Sequence, residues 1–126
     1  MSINDYIVYL LTQTFEFAKM SPKKINNGMC EDFAMALIDR FPDGDMMWGD
    51  ECPDLFGEFH EPDAHCFFKH VGLYYDSECP TGVDTPVKLP FFVRQEAHIK
   101  TARGNAKRAG TNPFPTRKDG TVAFCP

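Results

Sequence analysis

No stretch of this sequence approaches the run of about 20 apolar residues that a membrane span requires. Its opening, "MSINDYIVYL", has no basic segment ahead of its apolar residues, carries an acid at Asp5 and shows no small-residue cleavage site, so it does not read as a secretory signal. No Cys-x-x-Cys pair occurs among Cys30, Cys52, Cys66, Cys79 and Cys125, and their number is odd. A closed disulfide framework is therefore not expected, and free thiols in a reducing, cytoplasmic setting are. Internal repeats and long low-complexity runs are missing as well. Residues 42–63 contain no Lys or Arg at all, against eight Asp and Glu.

What is present is enough for one core. The chain has 126 residues, 43% of them hydrophobic, and Phe alone occurs 12 times. That predicts a single packed domain over 1–126 rather than a disordered chain. Charge is segregated: residues 1–99 carry 17 acidic and 7 basic side chains, whereas 100–126 carry 6 basic and one acidic. An acidic body repels phosphates, so a nucleic-acid partner is not expected, and residues 103–126 read as a basic, loop-rich tail.

Hydrophobic spacing predicts a helix over 2–20, with Ser2 and Asp5 at its start and Pro22 as its stop. A second helix is expected over 29–41, with Phe33, Ala34, Leu37, Ile38 and Phe41 as its buried stripe and Asn26, Asn27 or Gly28 as its cap. Residues 42–63 read as a packed loop. "AHCFFKH" and "GLYYD" read as two strands joined by a tight turn at Val71–Gly72, and "SECPTGVDTP" as a loop. A possible strand start at "VKLPFFV" gives way after Pro90 to a helix over "FFVRQEAHIKTAR", with irregular chain from Gly104 and a possible edge strand at "TVAFC".

The position of Cys30 is the informative one. It falls at the first turn of the second helix, where the helix dipole favours a thiolate and unpaired N–H groups can hold an oxyanion. Gly28 leaves room for an incoming carbonyl. A thiolate mechanism also needs a base held in one tautomer. His65 begins one predicted strand and Asp76 ends the next. In a hairpin centred near Val71 the two lie opposite one another, which places a carboxylate beside an imidazole. A Cys30–His65–Asp76 triad follows from the residues alone. The bland alternatives are a core thiol, a structural histidine and a turn aspartate bonded to its own backbone.

"GMCEDFAMALIDR" resembles the nucleophile helix of the transglutaminase-like branch of the papain-like cysteine hydrolases, through Gly28, Cys30, Asp32, Phe33, Ala34 and Arg40. In that family a His on one strand and an Asp on the next follow, the Asp preceded by aromatic residues. Here they are His65, Tyr74, Tyr75 and Asp76, so the likeness covers about residues 26–76. It implies an α+β fold with N-terminal helices packed on a small antiparallel sheet, a papain/transglutaminase-like core. It also implies a thiol hydrolase or acyltransferase acting on an amide or isopeptide bond of a protein or peptide substrate, with no cofactor. The papain branch has Gln six residues before its Cys, and Lys24 stands there here, so Asn26, Asn27 or backbone amides would serve the oxyanion. Trp48, the single tryptophan, is a candidate cleft wall or core residue.

Two other readings compete. A zinc site from His60, His65, Cys66 and Cys79 is disfavoured, because adjacent strand residues His65 and Cys66 face opposite ways. No metal is expected. A non-catalytic interaction protein, an inhibitor or adaptor on the same fold using its acidic face, with metal binding left open, is the second reading. Neither oligomeric state nor the tail's role follows from the sequence.

Overall fold

The computed structural model describes residues 1–57 and 61–109, with side chains described through residue 102. The order is α1 (Ile3–Gln13), α2 (Pro22–Gly28), α3 (Cys30–Arg40), β1 (Asp45–Trp48), β2 (Cys66–His70), β3 (Leu73–Asp76), β4 (Cys79–Val83) and α4 (Pro90–Ala109), with short 3-10 turns at 49–51, 53–55 and 86–88. The strands form one antiparallel meander in the order β1-β2-β3-β4. This is an α+β arrangement of helices on a small antiparallel sheet.

Alternation along the strands builds two cores. Phe68 and Tyr75 point to the face covered by Ile3, Ile7 and Leu10 of α1, Ile25 of α2 and Phe33 and Leu37 of α3. Phe67 and Tyr74, one residue out of step, point to the other face and meet Leu89, Phe91, Phe92 and Phe56. Every strand residue of the "CFF" run is thus buried, because helices cover both sides of the sheet.

Several expectations are corrected. The first helix does not run to residue 20; it ends at Gln13. Thr14 turns extended, its hydroxyl donating to the Leu10 carbonyl at 2.6 Å, and the turn that follows buries Phe17 while leaving Phe15 outside. Ser21–Pro22 starts a helix rather than stopping one. The Ser21 hydroxyl accepts from the Lys24 N–H at 3.2 Å and Pro22 takes the first helical position, where its missing N–H costs nothing. Asn26 and Asn27 therefore lie inside α2, and Met29 occupies the N-cap of α3 without a side-chain cap.

The acidic segment 42–63 contains β1, which pairs with β2 through Met46–Phe68 and Met47–Phe67. "DMMW" has no β-branched residue and no alternation, so only its partner makes it a strand. "CPTGV" is β4 rather than loop, and 86–88 is a 3-10 turn rather than a strand. α4 continues through Gly104 to Ala109, beyond the predicted break. The "TVAFC" segment and Cys125 lie outside the described residues.

The β2–β3 turn is where predicted, with φ of 48° at Val71 and 76° at Gly72. Two positive φ values are those of a type I′ turn, which fits the twist of the flanking strands. Val71 is a β-branched residue in the left-handed region, at a cost of about 1–2 kcal/mol. It is 83% exposed, so its side chain contributes little packing. Val71→Asn is expected to raise stability by about 1 kcal/mol in urea unfolding. An unchanged midpoint would show that the turn carries no strain.

Candidate active site

Cys30 opens α3, as its sequence context predicts, and is half-buried. Glu31 and Asp32 follow in the first turn, exposed to solvent. The α3 helix packs on the sheet face of Phe68 and Tyr75, and its start reaches the beginning of β2. There the Cys66 N–H points at the Cys30 sulfur, 3.5 Å away.

His65 lies just before β2 and is 2% exposed. Its ring stacks on Phe91 at 4.2 Å between centroids and 16° between planes, and meets Phe92 edge-on at 5.5 Å. The backbone is clamped too: the His65 carbonyl accepts from the Gly49 N–H at 3.1 Å. A Cβ on Gly49 would lie 2.5 Å from the Asp63 carbonyl and 2.7 Å from the Phe92 ring, so only glycine lets this segment lie so close.

His65 Nε2 and Asp76 Oδ2 are 3.0 Å apart, both side chains buried. The expected register is off by one turn position. The hairpin pairs His70 with Leu73, Lys69 with Tyr74 and Phe68 with Tyr75, so it is centred between Val71 and Gly72. Continuing that register sets Phe67, not His65, across from Asp76. Moving the hairpin centre by one residue moves the partner by two, which keeps the face. His65 and Asp76 are thus diagonal neighbours on one face, and their side chains still meet.

Asp76 also accepts the Glu78 N–H at 2.9 Å through Oδ1. The two readings of this residue therefore coexist: one oxygen makes the turn and the other orients the imidazole. With Nε2 held by Asp76, Nδ1 is the nitrogen left for Cys30, and it makes no hydrogen bond of standard geometry.

The electrostatics separate Cys30 from its fellow thiols. Burial alone would push its pKa up. The His65 imidazole beside it and the N–H groups of Cys66 and Glu31 overcome that, and the thiol titrates below its ordinary value of 9.0. Burial likewise opposes the charge on His65, but Asp76 and Cys30 outweigh it and raise the pKa. The other three described cysteines move the opposite way. Burial, with neighbouring negative charge, raises Cys52 and Cys79 and pushes Cys66 up to about 12.

Cys30 and His65 share a cleft of about 320 Å³ with Asn26, Asn27, Gly28, Asp63, Ala64 and Phe91. Asn27 sits exposed at its rim. Asn26 is buried, its carbonyl accepting from the Ser77 hydroxyl at 2.8 Å and its amide donating to Glu78 at 3.1 Å. Trp48 is not one of the lining residues. It ends β1 opposite Cys66, and its carbonyl accepts from the Cys52 thiol at 3.2 Å.

Sequence reasoning missed the supports. Arg94 grips Glu78 with two hydrogen bonds of 2.7 Å, tying α4 to the turn that carries Asp76 and, through Asn26, to α2. Buried Gln95 holds the chain ahead of His65, accepting from the Asp63 N–H at 3.0 Å and donating to the Glu61 carbonyl at 2.6 Å. No local pattern marks such pairs, which span 16 to 34 residues.

Among the described residues no group of three or more His, Cys, Asp or Glu side chains is arranged to hold a metal ion, and no helix is long and apolar enough to cross a membrane. His60, part of the weighed zinc set, lies outside the described residues. Comparison of the chain with known protein families, with curated proteins and with solved structures finds no match.

Proposed function

We propose that the protein is a thiol hydrolase or acyltransferase acting on an amide or isopeptide bond of a protein or peptide in the cytoplasm, on a papain/transglutaminase-like core. The observation that carries this reading is the selective one: of the four described cysteines, Cys30 alone has a lowered pKa, and it faces the cleft beside an imidazole held by a carboxylate.

The chemistry follows from the geometry. The Cys30 thiolate attacks the carbonyl carbon and a C–S bond forms. Negative charge collects on the carbonyl oxygen, where first-turn N–H groups of α3, lacking intrahelical acceptors, are the available donors. The Asn26 amide, with one of its two hydrogens engaged by Glu78, is a second candidate donor. His65 Nδ1–H protonates the departing amine as the C–N bond breaks, leaving a thioester. Water or an acceptor amine then attacks the thioester, giving its proton to His65, and the thiolate leaves. Asp76 holds Nε2–H throughout, which keeps Nδ1 turned to the reaction.

The test is capture of the acyl-enzyme. Incubation with an activated ester such as p-nitrophenyl acetate should give a burst of nitrophenol and a mass increase on Cys30 that decays. Cys30→Ala should abolish both, and His65→Ala should slow them at least about 100-fold. Acylation spread evenly over the cysteines would instead favour the inhibitor or adaptor reading, for which the acidic body is the supporting feature.

A further inference from the structure

We propose that the cleft selects a substrate bearing a positive charge close to the bond it cuts, and that Asp63 is the residue that reads that charge. The proposal rests on the reactive role given above to Cys30 and His65.

Asp63 lines the same cleft as those two residues. Its position is built rather than incidental. Its backbone N–H is held by Gln95, which is 2% exposed and also binds the Glu61 carbonyl, so the segment is tied to α4 at two points. Its Oδ1 accepts from the Ala64 N–H at 2.9 Å, which fixes the carboxylate plane. Oδ2 has no partner among the described residues. The other lining residues outside the Cys30–His65 pair are Asn26, Asn27, Gly28, Ala64 and Phe91, all neutral. Among the described residues, a group entering the cleft therefore meets one carboxylate, carried by half-buried Asp63, and no cationic lining side chain.

A charge fixed on the wall of a cleft acts at contact range on a group that enters it, whereas acids on open surface beyond about 8–10 Å are screened. The wider body adds a weaker, long-range pull on cations, since residues 1–99 carry 17 acidic and 7 basic side chains. That pull acts on any surface thiol alike. Asp63 is the acid that lines the cleft with Cys30, whereas Glu31 and Asp32 follow Cys30 on the exposed side of the first turn of α3. If Asp63 is merely a turn residue, its removal alters stability and leaves charge preference untouched.

Charge-matched thiol reagents read this directly, without turnover. Aminoethyl and sulfonatoethyl methanethiosulfonate react by the same step: thiolate attacks sulfur, a mixed disulfide forms and methanesulfinate leaves. The full chain is treated at pH 7, modification of Cys30 is followed by peptide mass analysis, and the cation-to-anion rate ratio is divided by that of a free model thiol. Asp63→Asn should lower the wild-type ratio about three- to tenfold, and Asp63→Lys should invert the preference. Asp39→Asn, an exposed acid nine residues further along α3 and about 14 Å away, should leave it unchanged. A ratio that is the same in wild type and Asp63→Asn overturns the proposal. Slow absolute rates at Cys30 with an Asp63-dependent ratio would instead sink the catalytic reading and leave the charge preference standing.

Discussion

Replacing His65 with Ala is expected to slow alkylation of Cys30 by iodoacetamide at least about tenfold at pH 6, and to move the midpoint of its pH dependence to 9.0 or above. A thiol is charged above its pKa, and in the wild type that pKa is lowered, so the reactive thiolate persists below the ordinary range. The lowering requires His65, whose removal leaves the raising effect of burial opposed only by the Cys66 and Glu31 N–H groups. The intrinsic reactivity of a thiolate falls as its pKa falls, which takes back part of the gain, and this is why the lower bound is set at only about tenfold. Asp76→Asn keeps a hydrogen-bond acceptor on Nε2–H but removes the charge that raises the His65 pKa, so it should lose part of the effect. Rates are measured against pH by peptide mass analysis in all three proteins. Coincident wild-type and His65→Ala curves near 9.0 would mean that Cys30 is a packing residue. The pair also links to stability. The Cys30 contribution is present above its unfolded pKa and fades as pH falls through the lowered folded value. The His65 contribution is full below its unfolded pKa and fades as pH rises through the raised one.

Phe92→Ala is expected to cost about 3–5 kcal/mol in urea or thermal unfolding. Phe92 has no exposed surface. Its ring packs edge-on to Phe56 at 4.5 Å, Phe91 at 5.2 Å, His65 at 5.5 Å and Phe67 at 5.8 Å, so it joins α4, the sheet and the site. Truncation leaves a cavity that the surrounding rings, held by α4, by the β2 segment and by the turn at Phe56, cannot close. It also removes one wall of His65, so any folded fraction should show a Cys30 alkylation midpoint closer to 9.0 than the wild type. Phe92→Leu, which fills most of the space, should cost about 1 kcal/mol and keep the midpoint. A loss below 1 kcal/mol for Phe92→Ala would show that α4 is not part of the cooperative core.

The three catalytic candidates were legible because each depends on short-range physics. Cys30 is marked by where an amphipathic helix begins, and His65 and Asp76 by a hairpin whose arms have matching alternation. Even with its centre misplaced by one residue, the hairpin kept the pair on one face, since strand geometry repeats every two residues. The helix over 30–40 and the aromatic strands were readable for the same reason.

Elements made by their partners were not readable. "DMMW" and "CPTGV" have weak strand preference and become strands because β2 and β3 offer unpaired backbone groups on either side. By its residue types Ser21–Pro22 reads equally as the stop of one helix or the start of the next, and packing chooses the start. Burial of Ile25 and of Asn26 against Ser77 and Glu78 selects the start. The sequence by itself determined that Cys30 opens a helix and that His65 and Asp76 meet on one face of a hairpin. Tertiary structure alone decided that Asp63 shares their cleft, that Trp48 does not line it, and that α4 seals His65 from behind with Phe91 and Phe92. The physical reason is that periodicity reports which face of an element is buried. Which distant element covers that face depends on how all of them share the limited apolar surface of one small domain.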